Sequence, residues 1–554
     1  MAAADSTRLW KAARLIAAAA CMASLVLAAC VPTGTESVPD INFDDQVGAS
    51  RRVVADAPQT EGAPADQTGP LEVTVQEAVL LALEHNRALA VQRVQPAIAS
   101  TFAAEERAEF DTTAGGEIYG GRSRVEQPRQ NAPGRRSSAA EEMGGRVVLG
   151  KYFPTGTDVE AGIESSLADS TTQEERLAAA RAGLTVSQAL LQGRGLGPNL
   201  ARLRQANLDV LASEYELRGF AEALVADSES ACWDYALARR EIEIFEESLS
   251  LAEKQLGETK DRIEIGKLAG SELAAAQAEV ALRKEDLINA ASELATARIR
   301  LLQLMNPPTA DSFWERKVEL LDKPAAPDVE LEAVNDHVAV AMQLRPDLNQ
   351  ARLALQRNEL ELVRTKNGLL PRLDLFVALG KSGYSDSFGG SVEDISGRAY
   401  DVTAGLALEY PLGNRAARAR HTRALCSREQ AAEALLNLEQ LAQVDVHTAY
   451  IEVNRSREQI AATAATRALQ EEKFRSETEK FRVGTSTSLL VAQAQRDLTA
   501  SMISEVRAVV TYLKALIRLH RADGSLLDRR GLFAPGGRPV RENRQDSREM
   551  DERE

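Results

Sequence analysis

The chain has 554 residues with 82 acidic against 66 basic side chains, a net charge of −16; that balance argues against a nucleic-acid partner, because phosphate binding needs clustered Lys and Arg. Aromatic residues make up only 4% of it, which with the abundance of Ala, Leu, Glu, Arg and Gln describes long packed helices rather than thick globular cores. Its four cysteines, Cys21, Cys30, Cys232 and Cys426, show neither a disulfide framework nor metal spacing, and no cofactor motif is visible.

The first element is an export signal peptide, residues 1–29. Arg8, Lys11 and Arg14 flank an apolar run from Leu15 to Ala29, too short for a membrane-crossing helix, which needs ~20 apolar residues. Val31-Pro32-Thr33-Gly34-Thr35 cannot extend it. Leu27-Ala28-Ala29-Cys30 resembles the bacterial lipoprotein signal. That resemblance implies cleavage before Cys30, a lipid such as palmitate on this residue and, with Pro32 rather than aspartate at the second position after it, sorting to the outer membrane. Removing residues 1–29 takes away three basic side chains and the acidic Asp5, so the mature chain moves from −16 to −18. Residues 30–70, rich in Pro, Gly, Thr and Asp, form a lipidated linker without periodic apolar pattern.

The body then says the same thing twice. Leu81-Ala82-Leu83-Glu84-His85-Asn86-Arg87-Ala88-Leu89 is echoed 259 residues later by Val340-Ala341-Met342-Gln343-Leu344-Arg345-Pro346-Asp347-Leu348. Arg262-Ile263-Glu264-Ile265-Gly266-Lys267 is echoed 218 residues later by Lys480-Phe481-Arg482-Val483-Gly484-Thr485. The two offsets agree if the first half carries 41 extra residues between these landmarks. The division is a first repeat over 71–305, a connector over 306–336, a second repeat over 337–523 and a disordered charged tail over 524–554.

Within each repeat the period changes along the chain. In the first, Phe110–Gly121 is a faint outgoing strand and Leu184, Val186 and Leu190 mark a returning one, while Val147–Phe153 and Thr157–Ser165 flank the turn Pro154-Thr155-Gly156 as a loop insertion or as additional strands. In the second, Leu373, Leu375, Val377 and Leu379 alternate with Asp374, Phe376, Ala378 and Gly380, and Val402, Ala404, Leu406, Leu408 and Tyr410 with Thr403, Gly405, Ala407 and Glu409, as a strand pair. Helical stretches run from about Phe220 to Met305 and from about Ala431 to His520, each broken near its middle at Gly266 or Gly484, so each is a hairpin. Ile242, Phe245, Leu249, Ala252, Leu256, Thr259 and Ile263 in the first, and Val446, Tyr450, Val453 and Ile460 in the second, keep the spacing of a coiled-coil seam. Strands flanked by such hairpins, in a chain sent to the outer membrane, imply an oligomeric barrel, because open sheet edges are not viable in lipid.

The repeated turns Ile265-Gly266-Lys267-Leu268-Ala269 and Val483-Gly484-Thr485-Ser486-Thr487, the Ala-Gln pairs that follow them (Ala276-Gln277 and Ala494-Gln495) and the junction Tyr410-Pro411-Leu412-Gly413-Asn414-Arg415 carry a resemblance. Over residues 71–523 the chain resembles the outer-membrane efflux proteins of the TolC type. The resemblance implies a mainly α fold with β: duplicated long α-helical hairpins forming a trimeric periplasmic α-barrel, an outer-membrane β-barrel, and an equatorial region to which Asn306–Asp336 contributes. It implies a passive homotrimeric conduit of a tripartite efflux or type I secretion system, docked to a periplasmic adaptor and an inner-membrane pump. The hairpin tips Gly266, Lys267, Leu268, Gly484, Thr485 and Ser486 would meet the adaptor.

The resemblance also points to a periplasmic gate at Glu272, Phe481, Leu490 and Gln493. The family's two gate aspartates match Leu490 and Gln493, so no acidic ring is expected, and a polar tie between hairpins is weakened because its tyrosine and arginine positions are Phe481 and Ser486, although Glu272 keeps its acid. Apolar packing of Phe481 and Leu490 is the expected narrowing. An enzyme is not indicated: His85, His337, His421, His447 and His520 lie far apart in sequence and are expected to be solvated or capping residues, and no metal-spaced set is visible. The rival reading, a lipid-anchored periplasmic coiled-coil adaptor or scaffold, calls for one hairpin beside compact β-domains, whereas two hairpins and no such domain are present.

Overall fold

The computed structural model describes residues 70–128, 135–170, 177–266, 268–306, 313–327 and 330–540. The signal, Cys30, the linker up to residue 69, Lys267 and residues 541–554 lie outside the described residues. In chain order, strand β1 (Leu71–Val73) leads to helices α1 (Val75–His85) and α2 (Arg87–Ala108), strands β2 (Thr112–Pro128), β3 (Arg135–Phe153), β4 (Thr157–Ser170) and β5 (Leu177–Ala189), one turn α3 (Leu196–Asn199), and the long helices α4 (Ala201–Glu264) and α5 (Ser271–Met305). The second half follows as β6 (Val318–Leu320), α6 (Val334–Leu344), α7 (Pro346–Asn367), β7 (Arg372–Ser385), α8 (Phe388–Glu393), β8 (Tyr400–Glu409), α9 (Arg415–Arg482), α10 (Ser488–Ala522) and α11 (Leu526–Arg529).

The duplication is visible in the backbone. Asn86 breaks α1 from α2 with ψ 121°, and Arg345, 259 positions on, breaks α6 from α7 with ψ 124°. Different chemistry makes the same break: the Asn86 side chain accepts from the Ala88 and Leu89 amides and caps α2, whereas Pro346 forces the residue before it into extended backbone and then starts α7. A reciprocal Thr74–Glu77 capping box starts α1.

The hairpins are less symmetric than expected. The outgoing α4 and α9 have 64 and 68 residues and the returning α5 and α10 have 35 each; at the helical rise the outgoing pair measures about 100 Å and the returning pair about 50 Å. The half of α4 and α9 next to the strands packs on α2 and α7, giving a lateral order α2–α4–α7–α9, and the far half packs on the returning helices as α5–α4–α10–α9. The first nineteen residues of α4 were not expected to be helical because they lie between two neighbours, burying Ala206, Ser213, Tyr215 and Leu217 on more than one side, which blurs the single stripe that periodicity detects.

Between these levels the parallel β1–β6 pair seats Val73, Val318 and Leu320 against Leu301, Leu302 and Met305, the last three fully buried and each worth ~1.5–3 kcal/mol of burial. Residues 524–540 correct the expectation of a disordered tail. Leu526 and Leu527 are buried, the Asp528 carboxylate accepts from Arg218 at 3.0 Å, and Arg530 grips Glu229 at 2.6 and 2.8 Å. The charges of Asp528 and Arg530, which look solvated in the sequence, are the partners of ions on α4, and Arg529 pairs with Glu332.

The remaining strands form one antiparallel sheet in the order β2-β3-β4-β5-β7-β8. The insertion of the first half is therefore strand, not loop.

Candidate functional site

Two surfaces could act: the hairpin tips at one end and the sheet at the other. Each tip turns on a glycine with positive φ, Gly266 at +73° and Gly484 at +82°. At the second, the Gly484 amide donates to Phe481 O at 3.2 Å and the Thr485 amide to Lys480 O at 2.9 Å, the paired bonds of a Schellman end, which needs left-handed backbone where glycine carries no Cβ penalty. The first repeats the inner bond, Gly266 to Ile263 O at 2.9 Å. Thr485 is exposed, and Leu268 and Ser486 are half-buried. The Ser486 hydroxyl donates to Glu477 at 2.8 Å, within its own hairpin; that bond and the Lys480 ammonium hold the Glu477 carboxyl below its usual range, the lysine having the larger effect.

The expected gate residues divide into two groups. Phe481 is buried: the Arg262 guanidinium lies over its ring at 4.5 Å and donates to its carbonyl at 3.2 Å. Glu272 accepts from the Ser488 hydroxyl, so an acid on the first hairpin does tie it to the second, through a serine that no matching of positions singled out. Leu490 and Gln493 are exposed on α10, free to face another chain or a lumen.

Above the tips a second ladder joins the hairpins. Gln495 donates to Ser248 O at 3.0 Å, Ser248 meets Thr499 at 3.2 Å, Arg507 pairs with Glu241 at 2.9 Å and Lys514 with Asp234 at 2.7 Å. Glu241 and Ser248 sit seven apart, one step before Ile242 and Leu249 of the expected seam. Helix α4 thus carries two seams, and the polar one was hidden because small and charged residues do not register as hydrophobic repeats.

The histidines are not all dispersed. His337, expected to be solvated or capping, is buried with Nδ1 2.7 Å from the Asp523 carboxylate, and His520 lies with its ring centroid 6.4 Å from that of His337. Burial raises the Asp523 carboxyl, but the nearby His520 ring, with Nδ1 4.0 Å away, and the bonds from Ser525 and His337 outweigh it and bring it below its usual range. The group pins α6 to the end of α10. No cluster of three or more metal-ligating side chains occurs among the described residues.

The sheet has two unlike faces. Register puts Ile118, Val147, Leu149, Val159, Ile163, Leu184, Val186, Val377, Leu379, Val402 and Leu406 on one side, so an apolar band crosses all six strands. On the other side Glu117, Arg146, Glu164 and Arg181 fall in one row across β2 to β5. Arg181 reaches across β7 to Asp401 at 2.5 Å, passing Gly380, where a Cβ would stand 2.4 Å from the carboxylate. Apolar outside and charged inside is the pattern of a wall between lipid and water. No helix among the described residues is long and apolar enough to cross a membrane.

The comparisons agree with this geometry. The fold resembles the Campylobacter jejuni CmeC outer membrane channel, 14% identical with a TM-score of 0.61 over 86% of this chain and 88% of that one. It also resembles the open state of the Neisseria gonorrhoeae MtrE outer membrane channel, 19% identical with a TM-score of 0.58 over 82% and 89%. A membrane protein from Pseudomonas aeruginosa is 19% identical with a TM-score of 0.60 over 84% and 95%. No curated protein sequence matches the chain. A family model described as outer membrane efflux protein matches residues 153–307 and 338–525, more than half of the sequence, and the chain belongs to that family.

Proposed function

We propose that this outer-membrane efflux channel is a passive homotrimeric conduit, linking the periplasm to the exterior and docked by its hairpin tips to a periplasmic adaptor and an inner-membrane pump. One observation carries the trimer: at every level the chain is a slab with two unpartnered lateral edges. Beside the sheet, α2 exposes Val91, Val94, Ile98 and Phe102 on one flank and α9 exposes Leu425 and Leu436 on the other; towards the tips, α5 exposes Ile288 and α9 exposes Leu469. Apolar stripes at helical spacing on both flanks suit closure with further copies.

Gly266, Lys267, Leu268, Gly484, Thr485 and Ser486 form the docking tips in this reading. Leu490 and Gln493 face the closed end, while Arg262–Phe481 and Glu272–Ser488 clasp the hairpins behind them. Lipid on Cys30 is then an auxiliary anchor, since the sheet itself spans the membrane.

Purified protein reconstituted in planar bilayers should form ion-conducting pores and run as a trimer, and should co-purify with an adaptor and pump from its host. Leu490→Gly should raise closed-state leakage. A monomer without pores would instead favour a lipid-held scaffold.

A further inference from the structure

The halves of a duplicated chain should contribute alike, yet the second gives one strand pair, β7–β8, and the first gives two, β2–β3 and β4–β5. The family match begins at residue 153, so β2 and nearly all of β3 lie outside it. The added hairpin β3–β4 is nevertheless part of the wall. It is paired without interruption from Ala140–Ser170 down to Phe153–Thr157, and β2 is paired along the whole of its length to β3. Its turn is seated where β5 leaves the sheet: Ala189 N donates to Gly156 O at 2.9 Å, Gly195 N to Thr155 O at 3.1 Å and the Asn199 amide to Pro154 O at 3.0 Å. A hairpin adds two strands, so β2 keeps its direction and the outer edges of β2 and β8 stay antiparallel to each other across a closing seam. Neither outer edge has a strand partner within the sheet, and an open edge is not viable in lipid.

From this, and resting on the trimeric reading above, we infer that β8 of each copy pairs with β2 of the next to close an eighteen-stranded barrel as wide as the helical tube below it. Strands ~4.8 Å apart and tilted ~40° take up about 6.3 Å of circumference each, so eighteen of them enclose a diameter of about 36 Å between backbones. Four helices per copy at 8–10 Å spacing give a tube of about 31–38 Å, which meets that barrel without a step. Four strands per copy would narrow it to about 24 Å. The cargo this implies is bulky and water-soluble, limited by the tips and the tube rather than by the exit, whose inner row of Glu117, Arg146, Glu164 and Arg181 keeps it wet.

The test images full-length trimers in lipid nanodiscs and counts strands, and sizes the polyethylene glycols that enter single channels from the outer side. Eighteen strands are expected. Deleting Arg135–Ser170, which leaves β2 antiparallel to β5, should shrink the largest polymer admitted, because the barrel diameter falls by about a third. Twelve strands in the intact trimer, or an unchanged size limit in an assembled deletion variant, overturns the inference and leaves the conduit standing. Should the deletion variant fail to assemble, the strand count of the full chain decides alone. Full-length protein that forms no trimer overturns both readings together.

Discussion

Ser488→Ala should loosen the closed end. Ser488 is 6% exposed, and its hydroxyl donates to the Glu272 carboxylate, joining the start of α10 to the start of α5. A hydrogen bond to a charged group contributes ~1.5–3 kcal/mol. Glu272 is half-buried, so water replaces the lost hydroxyl and the lower end applies. If the hairpins of one chain part as the end opens, ~1.5 kcal/mol of closed-state stabilisation is about a tenfold rise in the open-to-closed ratio. The second clasp, Arg262 over Phe481, is weaker: a half-exposed cation–ring contact contributes ~0.5–1 kcal/mol, and Arg262→Ala should raise the ratio about two- to fivefold. Open probability of single channels in planar bilayers, at matched trimer content, reads both. Ser488→Ala channels with wild-type open probability but a lowered melting temperature would show that the bond persists in both states, wild-type values of both would show that it contributes nothing, and either result would refute the clasp reasoning.

Four further outcomes are expected. Burial drives the Glu222 carboxyl up, with Arg218 opposing but shared with Asp528, to about 8; its folded value being raised, the stability it contributes is full below about 4.5 and is lost as pH rises towards 8, so Glu222→Gln should flatten the fall of melting temperature across that window, and an unaltered slope would contradict the assignment. Gly484→Ala meets no atom within 4 Å and should cost only the left-handed backbone term, ~1–2 kcal/mol, whereas Gly156→Ala puts a Cβ 2.2 Å from Gly193 O and should lower the melting temperature further; equal effects would argue against the seated turn. Gly405→Val displaces the Phe376 ring, which lies 2.6 Å from the Cβ position, and should cost ~1–3 kcal/mol, seen as earlier heat-induced gel-mobility shift. Cys30→Ser behind an alternative cleavable signal should still assemble, and complete loss of outer-membrane trimers would show that the anchor is essential.

Much of the chain is legible because its periods are strong. The alternation of Leu373–Leu379 and Val402–Leu408 marks β7 and β8, and the 41-residue difference between the two repeat offsets places an insertion in the first half. Strand β2 is faint, and β3 is legible only from Val147 on, because Gly115, Gly116, Gly120, Gly121, Gly144 and Gly145 interrupt their alternation; where a ring of Tyr119 covers Gly144 the packing is supplied from the neighbouring strand. At the site, matching positions point to Glu272 and Phe481 but not to their partners Ser488 and Arg262, which lie across a hairpin boundary.

The duplication, the hairpins with glycine at their tips and the two-faced strands are written in the sequence, because they follow from local periods of 3.5 and two residues and from backbone preferences that act within a few positions. Tertiary packing alone reveals that the insertion widens the sheet to six strands, that residues 524–540 are packed, that His337 and Asp523 share a buried bond and that α4 carries two seams. These features depend on pairing between distant segments: 186 residues separate His337 from Asp523, 247 separate Ser248 from Gln495 and 310 separate Arg218 from Asp528. Over such spans a charge that looks solvated in the sequence meets its counterion, and no local pattern encodes the partner.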